Sequence, residues 1–413
     1  MFIEKEISIF DFVCAISKSI DLVSVNLTNH HREVAYISCQ IAQRMNLPDD
    51  EVRDIVLAAI LHDIGAFTTE ERTNIIRCKL HDQELNRHAE LGYKLLKNFE
   101  PLNRAALLIR HHHDDYDESN PDIPLGSYII HLADRTAGLL DERRDILEQV
   151  PSIMSIIQDQ RKHFHPGAVA ALHHLASLEY FWIETISFSI EDILPRRMKF
   201  SKEIIYLETL RSFAKITAQI IDFRSRFTAT HSSGVAAVAL ELSNIFGFSE
   251  RECSMMEIAG FMHDLGKLSV SNDILEKNGA LDPEEFNSIR KHTYYTYAIL
   301  AKITGLEQVA EWAAYHHEKL DGSGYPFHVK GRDYSKMARI MAVADIFTAV
   351  TEDRPYRVGM NEEKTVSILE GMVGSGAIDR DVVQATKDNF IRINESRKRA
   401  QHEAQREYKE FHG

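Results

Sequence analysis

The chain has 413 residues, with 48 Lys+Arg against 62 Asp+Glu, a formal net charge of −14, and 44% hydrophobic and 27% charged residues. That length suggests two or three domains, each able to bury its own core, and the composition excludes wholesale disorder and a fibrous repeat. The acidic balance excludes a protein whose main task is to coat nucleic acid, which needs clustered Lys/Arg, but it allows a small anionic ligand in a locally positive pocket.

The chain opens MFIEKEISIFDFVCAIS, with acids where a signal peptide needs a basic stretch. No apolar run approaches the ~20 residues that span a bilayer, so a cytoplasmic chain with no membrane segment is expected. Apolar residues recur at three- and four-residue spacing without a sustained alternating pattern, which predicts an all-α fold. Following the chain, Gly247 closes the helix through VAAVALELSNIF by supplying a left-handed terminus. Asp282-Pro283-Glu284-Glu285 opens another helix with an N-cap, a first-turn Pro and a Glu three residues after the cap. KLDGSGYP is a loop, since two glycines and a proline cannot continue the helix ending at His316-His317. The polar segment from about 391, NESRKRAQHEAQREYKEFHG, is expected to be a frayed surface helix without chemistry.

Cys14, Cys39, Cys78 and Cys253 form no CxxC pair, so neither a disulfide framework nor a thiolate zinc site is signalled. Histidine is the outlier at 21 residues, which directs the search to metal-ligand spacing. Self-comparison finds a repeat. LHDIGAF at His62-Asp63 mirrors MHDLGKL at His263-Asp264, and the same separation places His30 before the first and His231 before the second. Downstream, His88 and His112-His113 mirror His292 and His316-His317, again at equal separation, and Asp134 mirrors Asp345. Two copies of one domain follow: an N-terminal copy over 1–200, a C-terminal copy over 201–395, and a charged tail over 396–413. His163, His165, His173 and His174 are read as polar-face residues rather than a third site.

In the C-terminal copy, five imidazoles and two carboxylates (His231, His263, Asp264, His292, His316, His317 and Asp345) suit Fe, Mn, Zn, Ni or Co rather than Mg or Ca alone. Seven ligands are too many for one ion. Two ions sharing a bridging carboxylate use them all, and such a pair activates water for attack on phosphorus. Adjacent side chains leave a helix about 100° apart, so Asp264 can bridge while His263 binds one ion. Lys267, four residues after His263, falls on the same helix face. A charged lysine beside two metals cannot ligate, so its expected task is to hold a phosphate oxygen during phosphoester hydrolysis.

MHDLGK, Lys291-His292, HHEKLDGSGYP at 316–326, and VADIF with RPYR at 354–357 together resemble the HD-GYP family, a branch of the HD metal-dependent phosphohydrolases that cleaves cyclic dinucleotides, cyclic di-GMP above all and in some members 3′,3′-cyclic GMP-AMP. The resemblance covers about 205–395; the N-terminal copy looks like a plain HD domain. It implies that His231, His263, Asp264 and Asp345 surround one metal, that Asp264 bridges to a second held by His292, His316 and His317, and that Lys267 contacts the scissile phosphate. It also implies that Tyr325, Arg354 and Arg357 line the ligand pocket. Where members with a third metal have a Glu, this chain has Phe227, so a binuclear centre is expected, with iron or manganese first and nickel, cobalt or zinc compatible. Thr348 and Ser225 replace acids common in the family, so a guanine-only preference does not follow.

The N-terminal copy keeps a possible second ligand set, His30, His62, Asp63, His88, His112, His113 and Asp134. It has Ala66 in place of the lysine and DDYDESNPDIP in place of the GYP loop, and is expected to be regulatory or structural, with or without metal. The resulting expectation is a phosphodiesterase converting a cyclic dinucleotide to the linear one, with no polymeric nucleic acid, no membrane and no identifiable protein partner. Two rival readings stay open: a cyclic-dinucleotide or partner-binding module without turnover, and an HD-type hydrolase of linear nucleotides.

Overall fold

The structure, a computed structural model, describes residues 8–21, 29–67, 82–141, 143–187, 190–198, 206–223, 230–277, 279–353 and 357–412. Every regular element among them is helical. The chain divides into two compact units, Ile9–Glu203 and a second beginning at Ile204.

The first unit contains α1 (Ile9–Asp21), α2 (His30–Arg44), α3 (Asp49–Leu61), α4 (Asp82–Leu96), α5 (Asn103–Arg110), α6 (Leu125–Ala137), α7 (Ile146–Asp159), α8 (Pro166–Ala176), α9 (Glu179–Thr185) and α10 (Ile190–Arg197). Helix α2 is buried on almost every side and packs against α3 and α6, while α5 packs on α3 and α4. Its end is a Schellman turn: Asn46 takes a positive φ of 56°, its N–H reaches the Gln43 carbonyl at 3.0 Å, and the Leu47 N–H reaches that of Ala42 at 3.1 Å. Asn tolerates this left-handed position because its short polar side chain compensates locally.

The second unit repeats the plan. It comprises α11 (Leu207–Asp222), α12 (His231–Ile245), α13 (Glu250–Met262), α14 (Asn272–Leu275), α15 (Pro283–Leu300), α16 (Glu307–Ala314), α17 (Lys336–Thr351), α18 (Glu362–Gly374), α19 (Arg380–Asp388) and α20 (Phe390–His412). Helix α12 is its centre, largely buried from His231 to Ala239, and packs on α13, α17 and α20. The expected Gly247 terminus is present: φ is 74°, the Gly247 N–H reaches Asn244 at 3.0 Å, and that of Phe248 reaches Ser243 at 3.2 Å. The Asp282 start of α15 carries the complete reciprocal cap with Glu285.

The C-terminal segment differs from the frayed surface helix expected of it. Helix α20 is continuous and packs along α12, burying Phe390, Ile393, Arg397, Ala404 and Phe411. These positions recur at roughly three and four residues and form one stripe, which the surrounding charges conceal in any averaged hydropathy.

Candidate metal centre

The second unit brings all seven expected residues to one place. His231 opens α12, His263 and Asp264 directly follow α13, His292 lies within α15, His316 and His317 form a 3-10 turn after α16, and Asp345 lies on α17. The Asp264 carboxylate stands between two groups. Its Oδ2 is 3.2 Å from His263 Nε2, and its Oδ1 is 3.4 Å from His292 Nε2 and 3.9 Å from His316 Nε2. Asp345 Oδ1 lies 3.1 Å from His231 Nε2 and 4.0 Å from His263 Nε2. His263, His292 and His316 each donate Nδ1–H to the carbonyl three residues earlier, at 2.8, 2.6 and 2.6 Å, which turns the Nε2 lone pairs inward. His263 Nε2 and Asp264 Oδ1 are buried without a hydrogen-bond partner. Buried polar atoms are normally satisfied, so inward-facing orphans in an N/O donor set fit a metal.

One backbone contact ties the two groups together. A Cβ on Gly266 would lie 1.9 Å from the His292 carbonyl oxygen, so only glycine lets the chain after Asp264 cross α15 here. The Gly266 N–H also donates to Thr296 Oγ1 at 2.9 Å, and that hydroxyl donates to the His263 carbonyl at 3.1 Å.

The two groups differ electrostatically. Burial opposes the charged form of His231, but the carboxylates of Glu352 and Asp345 outweigh it and raise its pKa to about 10. Burial lowers His292 to about 3 and His316 to about 4, so these imidazoles are neutral at pH 7. A metal bound beside His231 would therefore have to displace a proton, whereas one beside His292 and His316 would displace none. Below pH 10 the affinity of the His231 group falls about tenfold per pH unit for each proton displaced, while the other group changes little between pH 8 and 6. Chelator-competition titrations with Mn²⁺ at pH 6, 7 and 8 check this, and equal slopes at both sites would contradict it.

Lys267 reaches the site by a route other than the expected one. The chain turns into a 3-10 stretch at Leu265–Ser269, and Lys267 Nζ lies 2.6 Å from Asp264 Oδ2. Burial opposes its charge, but the Asp264 carboxylate outweighs this and raises its pKa. The Tyr325 ring lies 5.0 Å from that of His317, and the Tyr325 backbone N–H donates to the His317 carbonyl at 3.2 Å. Arg357 Nη2 donates to the Ala349 carbonyl at 2.6 Å. Arg354, Ser225 and Phe227 lie outside the described residues. Thr348 is fully buried, with Cγ2 against the bare Cα of Gly234.

Sequence reasoning passed over Glu318, next to His317. Its buried carboxylate accepts the N–H groups of Phe327, His328 and Val329 at 2.6, 3.1 and 3.1 Å, and so shapes the loop carrying Tyr325. Gly324 is required there, because its Cβ would lie 2.5 Å from Glu318 Cα.

The first unit builds a parallel cluster. Asp63 Oδ2 is 3.4 Å from His62 Nε2, and Oδ1 is 3.1 Å from His88 Nε2 and 3.9 Å from His112 Nε2. His113 Nε2 is 3.1 Å from His88 Nε2, and His30 Nε2 is 3.0 Å from Asp134 Oδ1. The corresponding atoms, His62 Nε2 and Asp63 Oδ1, are again buried without hydrogen-bond partners. Gly65 repeats the close crossing, 2.1 Å from the His88 carbonyl oxygen to a would-be Cβ. The cluster also contains His31, buried, with Nε2 3.9 Å from Asp63 Oδ2, where the second copy has Ser232. The His30-His31 doublet was its only sequence signal. Ala66 stands where the second copy has Lys267.

Comparison with known proteins places these clusters. Models of the HD domain match residues 27–139 and 215–382. A Vibrio cholerae serotype O1 protein named 3'3'-cGAMP-specific phosphodiesterase 1 is 30% identical over 387 residues, covering 90% of this chain and 89% of its own length. The chain belongs to the HD-GYP family. This HD-GYP protein is also similar to 3'3'-cGAMP-specific phosphodiesterase 3 of the same organism, 35% identical over 258 residues, which cover 60% of this chain and 55% of that one. A Thermotoga maritima protein named cyclic di-GMP phosphodiesterase is 33% identical over 171 residues, 41% of this chain and 46% of its own. The crystal structure of a cyclic GMP-AMP-specific phosphodiesterase of V. cholerae, V-cGAP3, superposes with a TM-score of 0.62 at 22% identity over 92% of this chain and 96% of that one, which shows the shared all-helical fold. HD domains are metal-dependent, and both His/Asp clusters of this HD-GYP chain supply donor sets for metal. Among its described residues no helix is long and apolar enough to cross a membrane.

Proposed function

We propose that this protein hydrolyses a 3′–5′ phosphodiester bond of a cyclic dinucleotide to give the linear dinucleotide, with 3′,3′-cyclic GMP-AMP as the first substrate to test and cyclic di-GMP as the second. The observation that carries the reading is the placement of Asp264, one oxygen toward His263 and Lys267, the other toward His292 and His316. The relative similar along nearly the whole chain is named for 3'3'-cGAMP, which sets the order of substrates.

On this reading His231, His263, Asp264 and Asp345 hold one divalent transition metal and Asp264, His292, His316 and His317 the other, with iron or manganese first and nickel, cobalt or zinc compatible. Bound there, the metals supply Lewis acidity and lower the pKa of water to the neutral range. The protein's own groups orient and neutralise. The Lys267 ammonium, steered by Asp264, stabilises charge growing on a non-bridging phosphoryl oxygen. Tyr325 walls the cleft beside His317, and Arg357 with Arg354 serves the phosphates. The first domain holds metal without turnover, since it has Ala66 for the lysine and adds His31 beside Asp63. We place the activity in the cytoplasm.

The test uses the full chain, stripped by chelator and reloaded anaerobically with Mn²⁺ or Fe²⁺, incubated with each cyclic dinucleotide and, separately, with linear nucleotides, and followed by chromatography. Linear product in the reloaded sample alone supports the proposal, and the ratio of rates names the substrate. Turnover of neither despite bound metal would leave a binding module; turnover of linear nucleotides alone would leave the third reading.

A further inference from the structure

We infer that Glu352 and the last helix belong to the metal centre: Glu352 is a positioning residue that fixes His231 toward the metal, and Gln401 of α20 fixes Glu352. The inference rests on reading this cluster as a metal site, and it concerns residues outside the ligand set.

His231 has a problem that His263, His292 and His316 do not. Those three anchor Nδ1 on a carbonyl three residues back, whereas His231 is the first residue of α12 and turns its Nδ1 to a side-chain carboxylate. Glu352 fills that role, with Oε1 and Oε2 both 3.2 Å from His231 Nδ1. Helix α17 thus grips the ring from both sides, through Asp345 near its middle on Nε2 and through Glu352 at its C-terminal end on Nδ1. A carboxylate on Nδ1–H sets the tautomer that presents Nε2 to metal and makes that nitrogen a stronger donor.

Glu352 is itself held. Gln401 Nε2 donates to its Oε2 at 3.0 Å. To reach it, the Gln401 amide passes the bare face of α12 at Gly234, where a Cβ would lie 2.8 Å from Gln401 Nε2. Buried Arg397 donates to Gln401 Oε1 and is braced on Asn394 Oδ1 at 3.0 and 2.9 Å. The chain Asn394, Arg397, Gln401, Glu352, His231 therefore runs from the last helix to a metal ligand. In the first copy the acid at the matching place, Asp141, seven residues after Asp134 as Glu352 is after Asp345, pairs instead with Arg143 at 2.9 Å.

The test is Mn²⁺ affinity of the full chain, measured by chelator competition for Glu352→Ala, Glu352→Gln and Gln401→Ala, beside thermal unfolding of each metal-stripped protein. Glu352→Ala is expected to weaken one Mn²⁺ site by about 10–100-fold and leave the others unchanged. Glu352→Gln, which keeps an acceptor for Nδ1–H, recovers most of that loss, and Gln401→Ala loses a few-fold with stripped-state unfolding unchanged. Wild-type affinity in Glu352→Ala, or an equal loss at every site together with a destabilised stripped protein, would overturn the inference. Should Glu352→Ala fail to fold, an unchanged affinity in Gln401→Ala overturns it alone. No nucleotide enters the assay, so failure of the hydrolysis proposal leaves this result standing, whereas a wild-type chain that binds no Mn²⁺ removes the metal reading itself.

Discussion

Asp264→Ala is expected to lower turnover by about three orders of magnitude or more and to remove at least one metal ion from the chain. Its two oxygens address both groups of histidines. Its loss also strands Lys267, whose charge is stabilised chiefly by this carboxylate against burial. Lewis-acid stabilisation supplies several kcal/mol, and at about 1.4 kcal/mol per factor of ten that amounts to about a thousandfold. Product formation and metal analysis on the same preparation check the result. Substantial turnover with an unchanged metal content would mean that the two groups of ligands work without a shared carboxylate. The matching change in the first domain, Asp63→Ala, is expected to remove metal while leaving turnover within a few-fold of wild type.

Lys267→Ala is expected to lower kcat by about a hundred- to a thousandfold, the range for removing one preorganised donor to a developing oxyanion, with metal content and KM little changed. The lysine is not a ligand while charged, and the carboxylate beside it keeps it charged. Its benefit is realised as charge accumulates on the phosphoryl oxygens, which places the loss in kcat rather than in binding. Steady-state kinetics with metal analysis separate the outcomes. Full turnover with metal bound would reduce Lys267 to a counter-ion of Asp264.

The fold class and the residues of the two His/Asp clusters were legible because the repeat gives them twice: His30, His62, His88 and His112 have partners at matching separations in His231, His263, His292 and His316. Local chemistry was legible too, as at the Asp282 cap and the Gly247 terminus, where a single residue type decides the backbone. What the sequence hid depends on distance along the chain. Glu352 lies 121 positions from the histidine it holds and Gln401 lies 49 from Glu352, separations that no local pattern spans. The role of α20 was hidden because a stripe of Phe390, Ile393, Arg397 and Ala404 is diluted by the charges around it. The Lys267–Asp264 contact was not legible, since helical spacing does not survive the 3-10 stretch that follows Asp264.

The crossing at Gly266 has a consequence for metal exchange. Because the backbone after Asp264 touches the carbonyl of His292, the two ligand groups hang from main chains that cannot slide past one another. Ions of different radius must then be accommodated by side-chain torsions alone, within rings whose Nδ1 atoms are already tethered. Affinity across the divalent series follows donor chemistry and rises toward copper, whereas the separation of two ions in a pinned cradle follows size. On the two-metal reading proposed above, the metal that binds most tightly and the metal that reacts fastest are expected to be set by different parts of the molecule.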